Sequence, residues 1–430
     1  MRRSLVLLIL LIILSMAAVQ TGRRLLFSLV YLLGATLVLS FLWAWNNVRG
    51  IAIRRITESR RTQVGRLAEE RFVVRNTGWW PKLWLEVRDF SELPGHRASR
   101  VITSLPPKRA RGWFVKTYCF KRGRFRLGPM RITSGDPFGL FRFSRDLPQT
   151  SELIVYPAMY DIPAFAPPLG QLVGGEALRR RTHHVTPNVA GVREYQPGDS
   201  FNRIHWPSVA RTGRLIVKEF EEDPTANIWI VPDLHYDTLV RAPDAAEWEE
   251  TLPVVLWLDR KQREEIMPST EEYVVTVAAS LARHFLDRNR AVGLIAHGAR
   301  RTVLHPDRGH RQLTKILEEL AVVTTQGRFG LAQVLALEDL FFTRGTTVVT
   351  ITASPYTFWV EALRLLQRRG VRTVAVVVDP ASFDPTVPPA DDVMAELAAT
   401  AIPAYRVRRG DALADVLTSP LGNSRRGTPI

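Results

Sequence analysis

The densest chemistry in the sequence lies between Gly191 and Asp223, in GVREYQPGDSFNRIHWPSVARTGRLIVKEFEED. Eleven acidic, Lys and Arg side chains and His205 stand there among one Trp, three Gly and two Pro. Arg193, Glu194, Asp199, Arg203, His205, Arg211 and Lys218 bring acids, a base and cations, the materials of general acid–base catalysis. They bring no nucleophile beside a base, and no spacing that names a reaction. The same residues read more economically as structure. Pro197-Gly198-Asp199 is turn chemistry, and Asp199 is placed to cap a short helix over about 201–211. Gly213 ends that helix, Leu215 to Phe220 continues as a strand, and Trp206 is the expected apolar anchor. Arg193 and Arg211 can make forked pairs with Glu194 or Asp199 that Lys cannot copy. The expectation is a buried paired network that fixes a junction or docking surface, not an active site.

A second candidate is the end of a β-type run, Val231-Pro232-Asp233-Leu234-His235-Tyr236-Asp237. An acid followed by hydroxyls at alternate positions, Asp-x-Ser-x-Ser, would suit a hard cation, because Mg²⁺ takes oxygen ligands. Here the pattern is Asp-x-His-x-Asp. Asp233 keeps its place, both hydroxyls are gone, and Asp237 is the remaining oxygen donor. We expect no functional metal site, and Asp233 and Asp237 stand as a degenerate candidate. Thr350-Ile351-Thr352-Ala353-Ser354 offers hydroxyls without a carboxylate, and Asp379 before Pro380 reads as a turn. His183-His184 lacks a third ligand at metal spacing and reads as a pair of loop histidines. No Gly-x-Ser-x-Gly elbow, Walker phosphate loop or Gly-x-Gly-x-x-Gly is present, and His297-Gly298 is too little to cradle a phosphate. One cysteine, Cys119, excludes an internal disulfide and a cysteine-rich zinc site. No catalytic residue and no cofactor are expected.

The elements that must position these groups fall into blocks. From 224 to 418 apolar runs (Ile228–Val231, Val292–Ile295, Thr347–Thr352, Val371–Val378) alternate with helical periodicity at about 271–288, 309–321 and 357–369. That alternation predicts a parallel, doubly wound α/β sheet. Residues 239–268 interrupt it as an acidic helical insertion. Residues 51–157 carry short β-type runs at Phe72–Val74, Leu83–Val87, Trp113–Val115 and Phe125–Leu127, separated by Asn-Thr-Gly, Pro-Gly and Pro-Pro turns. They predict a small β-sandwich. Residues 158–190 read as a Pro- and Gly-broken linker, 191–223 as the polar segment above, and 419–430 as a disordered tail.

Charge and hydropathy add the membrane. The net charge is +16, and its excess is confined: residues 51–223 hold 30 Lys and Arg against 17 Asp and Glu. Two apolar runs precede it, Leu5–Val19 without a charge and Leu25–Trp45 over 21 residues. At about 1.5 Å per residue the second crosses a hydrocarbon core of roughly 30 Å. The first reaches that length with its flanks, giving a transmembrane hairpin over 1–48 with spans at about 4–22 and 25–45. Arg2 and Arg3 precede it, Arg49, Arg54, Arg55, Arg60 and Arg61 follow it, and only Arg23 and Arg24 lie between. The positive-inside bias therefore places both termini and the globular part on the cytoplasmic side of the cell membrane. A secretory signal, with small residues around Ser15-Met16-Ala17, is the competing reading of the first run. The basic β-block (Lys108, Arg109, Arg111, Lys116, Lys121, Arg122, Arg124, Arg126) would also attract anionic lipid headgroups.

The polar segment resembles the signature of the domain of unknown function 58 (DUF58) family. The resemblance rests on Arg193-Glu194-Tyr195, Gly198-Asp199, Arg203-Ile204, Trp206, Ala210-Arg211-Thr212-Gly213 and Val217-Lys218-Glu219-Phe220. Arg124-Phe125, Gly128-Pro129 and Ser134-Gly135-Asp136-Pro137-Phe138-Gly139-Leu140-Phe141 are similar to its second hallmark. The resemblance implies a membrane hairpin, a β-domain and a C-terminal von Willebrand factor A-like domain. It also implies no established enzymatic activity, and association with MoxR-type AAA+ ATPases in assembling or maturing protein complexes. The departures are His205 at an acidic position, the lost hydroxyls after Asp233, and the segment 239–268. The function expected is a membrane-anchored cytoplasmic scaffold that binds a protein partner. The alternatives are an enzyme using the Arg/Asp/Glu constellation, and lipid or nucleic-acid binding by the basic β-domain. Nucleic acid is not expected, since no recognition helix or aromatic platform accompanies the charge.

Overall fold

The computed structural model describes residues 2–165, 181–182, 189–196, 204–221, 227–251 and 266–418. The chain divides into two compact units, Met1–Ala158 with Ala246–Met267, and Met159–Ala245 with Pro268–Ile430.

In the first unit the apolar runs form α1 (Arg2–Thr21) and α2 (Arg24–Val48), both long and apolar enough to cross a membrane. Ten strands follow: β1 (Ile51–Thr57), β2 (Arg61–Gln63), β3 (Leu67–Asn76), β4 (Lys82–Asp89), β5 (Arg100–Leu105), β6 (Ala110–Tyr118), β7 (Gly123–Leu127), β8 (Met130–Gly135), β9 (Arg142–Leu147) and β10 (Ser151–Tyr156). They form sheets of order β1-β3-β6, β5-β4-β8-β9 and β2-β10-β7. The first two close on one core, in which Ile53, Phe72, Val74 and Trp113 meet Leu85, Val87, Ile102 and Ile132. The alternation of β3, with Phe72 and Val74 inward and Arg71 and Arg75 outward, is the period-two pattern that drives this packing. Cys119 lies in a second small cluster with Leu127, Leu153 and Val155. Burial pushes its thiol up to about 12, so it packs as a hydrophobe. All four expected β-runs fall within strands. The missed ones include β1, whose pattern is broken by Arg54 and Arg55.

The second unit opens with β11 (Arg181–Thr182), β12 (Val189–Glu194), α3 (Trp206–Thr212) and β13 (Ile216–Glu221), and its strands pair in the order β11-β13-β12. Then come β14 (Ile228–Pro232), α4 (Ala245–Thr251, all but its first residue counted with the first unit), α5 (Thr270–Asp287), β15 (Val292–His297), β16 (Arg301–Asp307), α6 (His310–Val322), α7 (Leu331–Leu337), β17 (Thr347–Thr352), α8 (Phe358–Arg368), β18 (Arg372–Val378), α9 (Asp391–Ala399), β19 (Ala404–Val407) and α10 (Leu413–Val416). The main sheet runs β16-β15-β14-β17-β18-β19. Trp229, Val231, Val348 and Val377 face Trp359 and Leu363 of α8 and Val393 of α9. Successive strand residues point to opposite faces, so Ile228, Ile230, Val349 and Ile351 turn to the layer of α5, which packs on β14 and β17.

The sheet is mixed where a parallel one was expected. β16 pairs antiparallel with β15, because the link from His297 to Arg301 is a hairpin turn, too short for a crossover. Of the expected linker 158–190, residues 159–165 form no helix or strand but pack within the second unit. Ile162 and Phe165 are buried, with Phe165 stacked at 4.7 Å on Tyr405. Just past the insertion 239–268, Ser269 and Thr270 anchor the start of α5, and the helix α4 lies within the insertion. Ala246–Met267 belongs to the first unit, where the Trp248 ring meets Phe120 at 6.0 Å. Residues 419–430 lie outside the described residues.

Candidate functional site

The polar segment forms a β-hairpin with a helix in its loop. β12 pairs antiparallel with β13 from Val189↔Phe220 to Glu194↔Ile216. Tyr195 N–H donates to Leu215 O at 2.9 Å, and His205 N–H to Ile216 O at 2.8 Å. Ile204 and Val217 are the buried apolar pair beneath it. Gly213 closes α3 at φ +70, a left-handed conformation that glycine adopts without strain.

Several details differ from the sequence expectation. The helix starts at Trp206, not at about 201, and His205 stands at its N-cap with Nδ1 2.7 Å from Ser208 Oγ. Trp206 is 64% exposed, so the anchoring falls to the buried Ile204 and Val217. Glu194 pairs at 2.8 Å with Arg214, and both side chains are exposed. Register sets Glu194 opposite Ile216, so Arg214 stands at the diagonal position two residues along, within reach of a long side chain. Arg211 is exposed on α3. Arg193, Lys218, Glu219 and Phe220 are placed by their strands only. Gly198, Asp199 and Arg203 lie outside the described residues, as do His183 and His184.

At the carboxyl ends of the parallel strands the acids are occupied by the fold's own donors. Asp233 is buried, and its Oδ2 accepts from Thr352 Oγ1 at 2.6 Å and its Oδ1 from His235 N–H at 3.2 Å. Burial holds its carboxyl above the usual range, against the opposing pull of those hydrogen bonds. Asp237 is exposed and 3.7 Å from His235 Nδ1. Glu338, buried just after α7, takes His297 Nε2 at the end of β15 at 2.7 Å and Arg301 in a bidentate pair at 2.5 and 2.8 Å. The Arg301 bonds hold its carboxyl low, with His297 assisting against the cost of burial. Asp379 takes both Nε and Nη2 of Arg406, and also the N–H of Ala390. The expected turn is there, with Ser382 N–H donating to Asp379 O at 3.2 Å, and the Asp379 carboxylate is in addition an ion-pair anchor. Among the described residues no group of three His, Cys, Asp or Glu is arranged to hold a metal ion. The loops here are tightly fitted: a Cβ on Gly327 would lie 2.1 Å from His297 O and 2.8 Å from Leu234 O. Around these satisfied acids stand four exposed aromatics, Tyr236, Phe329, Tyr356 and Phe358, and the last two stack at 6.3 Å.

The second hallmark has two jobs in the first unit. Gly128, at φ +86, approaches so closely that a Cβ would meet Gln149 O at 2.7 Å. Its N–H donates to Ser91 Oγ at 2.8 Å, and Pro129 O accepts from Phe90 N–H. Ser91 in turn donates to Asp89 at 2.6 Å. Asp89 belongs to a buried ion cluster that sequence reading missed. Arg55 bonds Asp89 and lies 3.5 Å from Glu70, while His96 Nε2 lies 3.0 Å from Asp89 and 3.2 Å from Glu70. His96 Nδ1 faces Thr117 Oγ1 at 2.8 Å. Burial raises the Asp89 carboxyl, but bonds from His96 and Ser91 and the Arg55 charge outweigh it and hold it low. A histidine between carboxylates resembles a proton relay, yet no side chain of this set is more than 8% exposed, so substrate cannot reach it. Its residues come from β1, β3, β4, β6 and the loop after β4, and no local spacing could have grouped them.

The hallmark's other half is a turn beside α2. Asp136 is buried, and its carboxylate accepts from Phe138 N–H at 2.9 Å and Phe141 N–H at 2.6 Å. Pro137 and Gly139, the latter at φ +69, complete the turn. Asn47 Nδ2 donates to Leu83 O at 3.1 Å and Gly135 O at 3.3 Å, and Lys82 Nζ donates to Asn46 O. Burial lowers the Lys82 ammonium's pKa. The Phe41 ring sits edge-on at 5.5 Å to both Phe141 and Phe143.

Comparison with known proteins bears on the polar segment first. Residues 191–245 match the family described as Protein of unknown function DUF58. The match therefore spans the β12–α3–β13 hairpin, strand β14 and the loop with Asp233 and Asp237. "Uncharacterized protein YeaD" of Bacillus subtilis (strain 168) is 24% identical over 201 residues, 47% of this chain and 43% of that protein. The chain thus aligns with less than half of that protein's length. Among solved structures, the CARDB domain of the PF1109 protein from Pyrococcus furiosus is similar at 18% identity and TM-score 0.19, over 24% of this chain and 91% of its own. The alkylpurine DNA glycosylase AlkC of Pseudomonas fluorescens is similar at 14% identity and TM-score 0.18, over 31% and 40%. Likeness that slight carries no argument about fold or chemistry.

Proposed function

We propose that the chain is a membrane-anchored cytoplasmic scaffold, not an enzyme, and that its α/β unit binds a protein partner, a MoxR-type AAA+ ATPase being the one the DUF58 resemblance implies. The observation that carries this reading is the carboxyl edge of the sheet. That is where doubly wound folds bind ligands. Here its acids Asp233, Glu338 and Asp379 are consumed by internal bonds, while Tyr236, Phe329, Tyr356 and Phe358 are exposed around them. Exposed aromatics are the side chains that protein interfaces use as anchors. The sheet order, with one antiparallel edge strand, supports reading the unit as von Willebrand factor A-like, with Asp233 at the position of a lost metal motif. The two apolar helices support the anchor, and the Arg distribution supports the cytoplasmic side.

The test is direct binding of the full chain in nanodiscs to the MoxR-type ATPase encoded in the same genome. Replacing Tyr356 and Phe358 together by Ala should weaken binding at least about tenfold, as loss of one interface anchor does. Unchanged affinity with the double variant, or no binding by the native chain, would sink the proposal.

A further inference from the structure

We propose that the β8–β9 hairpin tip is a second membrane element, entering the boundary between headgroups and acyl chains beside the end of α2, with Phe138 as its inserted side chain. The proposal rests on the membrane-anchored reading above, because it takes α2 as a span.

Position along α2 is the first argument. The base of the hairpin is fixed at Asn47, which bonds Gly135 O. Its far side is fixed at Phe41, which touches Phe141 and Phe143. Six residues of helix separate Asn47 from Phe41, a rise of about 9 Å. Gly135 pairs across the ladder with Arg142, so it is the β9 side of the hairpin, with Phe141 closing the tip, that lies higher along α2, about two turns before the helix end. From Arg24 to Phe41 the helix rises about 26 Å, close to the roughly 30 Å hydrocarbon thickness. A tip level with Phe41 thus meets the edge of the acyl region.

The tip is also built to present its ring. The Asp136 carboxylate takes the N–H of both Phe138 and Phe141, so the turn is held from inside while Phe138 is 65% exposed. A stiff turn that holds a phenylalanine outward is costly in water and favourable in an interface. Pro137 to Arg145 contains Arg142 and Arg145 and no acid. The neighbouring loop repeats the pattern. Thr77 N–H donates to Gly50 O at 2.7 Å, which ties that loop to the residue just past α2. It exposes Trp79 and Trp80, with Lys108 Nζ 4.6 Å over the Trp79 ring. Arg49 likewise lies 3.5 Å over Trp45. Aromatic rings paired with cations at the end of a span are the composition of a membrane interface.

The experiment uses the full chain carrying Cys119→Ser, in nanodiscs of phosphatidylcholine and phosphatidylglycerol. Single cysteines replace Phe138, Val38 on α2 or Val101 on β5, and each carries an environment-sensitive fluorophore. Lipids bearing a quencher near the headgroup or near the bilayer centre report depth. The proposal expects position 138 to lose emission to the shallow quencher, position 38 to the deep one, and position 101 to neither. A quenched 38 with an unquenched 138 overturns the hairpin proposal and leaves the anchor standing. An unquenched 38 overturns the anchor and the hairpin with it. A label at the exposed Arg142 repeats the reading in case Phe138→Cys loosens the turn, and an unquenched label there also counts against insertion.

Discussion

At the scale of single residues, the chain spends its ionisable groups on holding itself together. Asp233 shows this most directly, since Thr352 and the His235 N–H fill its lone pairs in a buried pocket. Its carboxyl is raised by burial, so its contribution to stability is complete below the ordinary carboxylate range and is lost as pH rises through the folded value. Asp233→Asn keeps the shape without the charge. In melts of the full chain, the variant should therefore be no less stable than the native protein at neutral pH, and should lose less stability between acid and neutral pH. Mg²⁺ should shift neither melt, and a rise in the native one abolished by the substitution would restore a metal site. Arg55 is the opposite case, a buried cation between Asp89 and Glu70. Arg55→Met leaves two carboxylates in the core and should destabilise the first unit by about 3–5 kcal/mol, read by chemical denaturation. The depressed Asp89 carboxyl sets the sign of the pH effect: its contribution is present above the ordinary carboxylate range and fades as pH falls through its folded value.

At the scale of elements, α2 and the β8–β9 hairpin behave as one piece. Asn47, Lys82 and the Phe41–Phe141–Phe143 cluster fasten a helix end to a sheet end within the first unit. Asn47→Ala strands the Leu83 and Gly135 carbonyls of one donor each, at about 1–3 kcal/mol. Hydrogen exchange should speed up at Val48 to Ile51 and over β8, and remain unchanged in α5 and β17. Uniform exchange in the variant would mean the fastening lies elsewhere. The polar hairpin is a different kind of element. It is secured by Ile204, Val217 and strand pairing, which frees Trp206 and Arg211 to face outward.

At the scale of the molecule, two units carry unlike surfaces. Residues 51–157 hold the basic excess that follows the apolar helices, and the α/β unit is close to neutral in balance. If the helices span as proposed, reporter fusions should place the N-terminus and the region after Val48 on the same, cytoplasmic side. A reporter after Arg49 that is active outside would reverse the orientation and the scaffold's proposed compartment together. The family match covers the polar hairpin and the first strand of the main sheet, both in the second unit.

What the sequence determined by itself was the order of classes: apolar helices, short strands, then alternating strands and helices. Those are local signals, set by the length of apolar runs and by periods of 2 and 3.6 residues. The strand before Pro224 and the glycine end of α3 were legible for the same reason. Tertiary structure alone decided which charges meet. Arg55, Glu70, Asp89 and His96 are far apart in the chain, and only the closure of two sheets brings them together. It also decided that Asp379 belongs to Arg406 and that Trp206 faces outward. In each case the outcome rests on packing and register between distant strands, which no window of neighbouring residues contains.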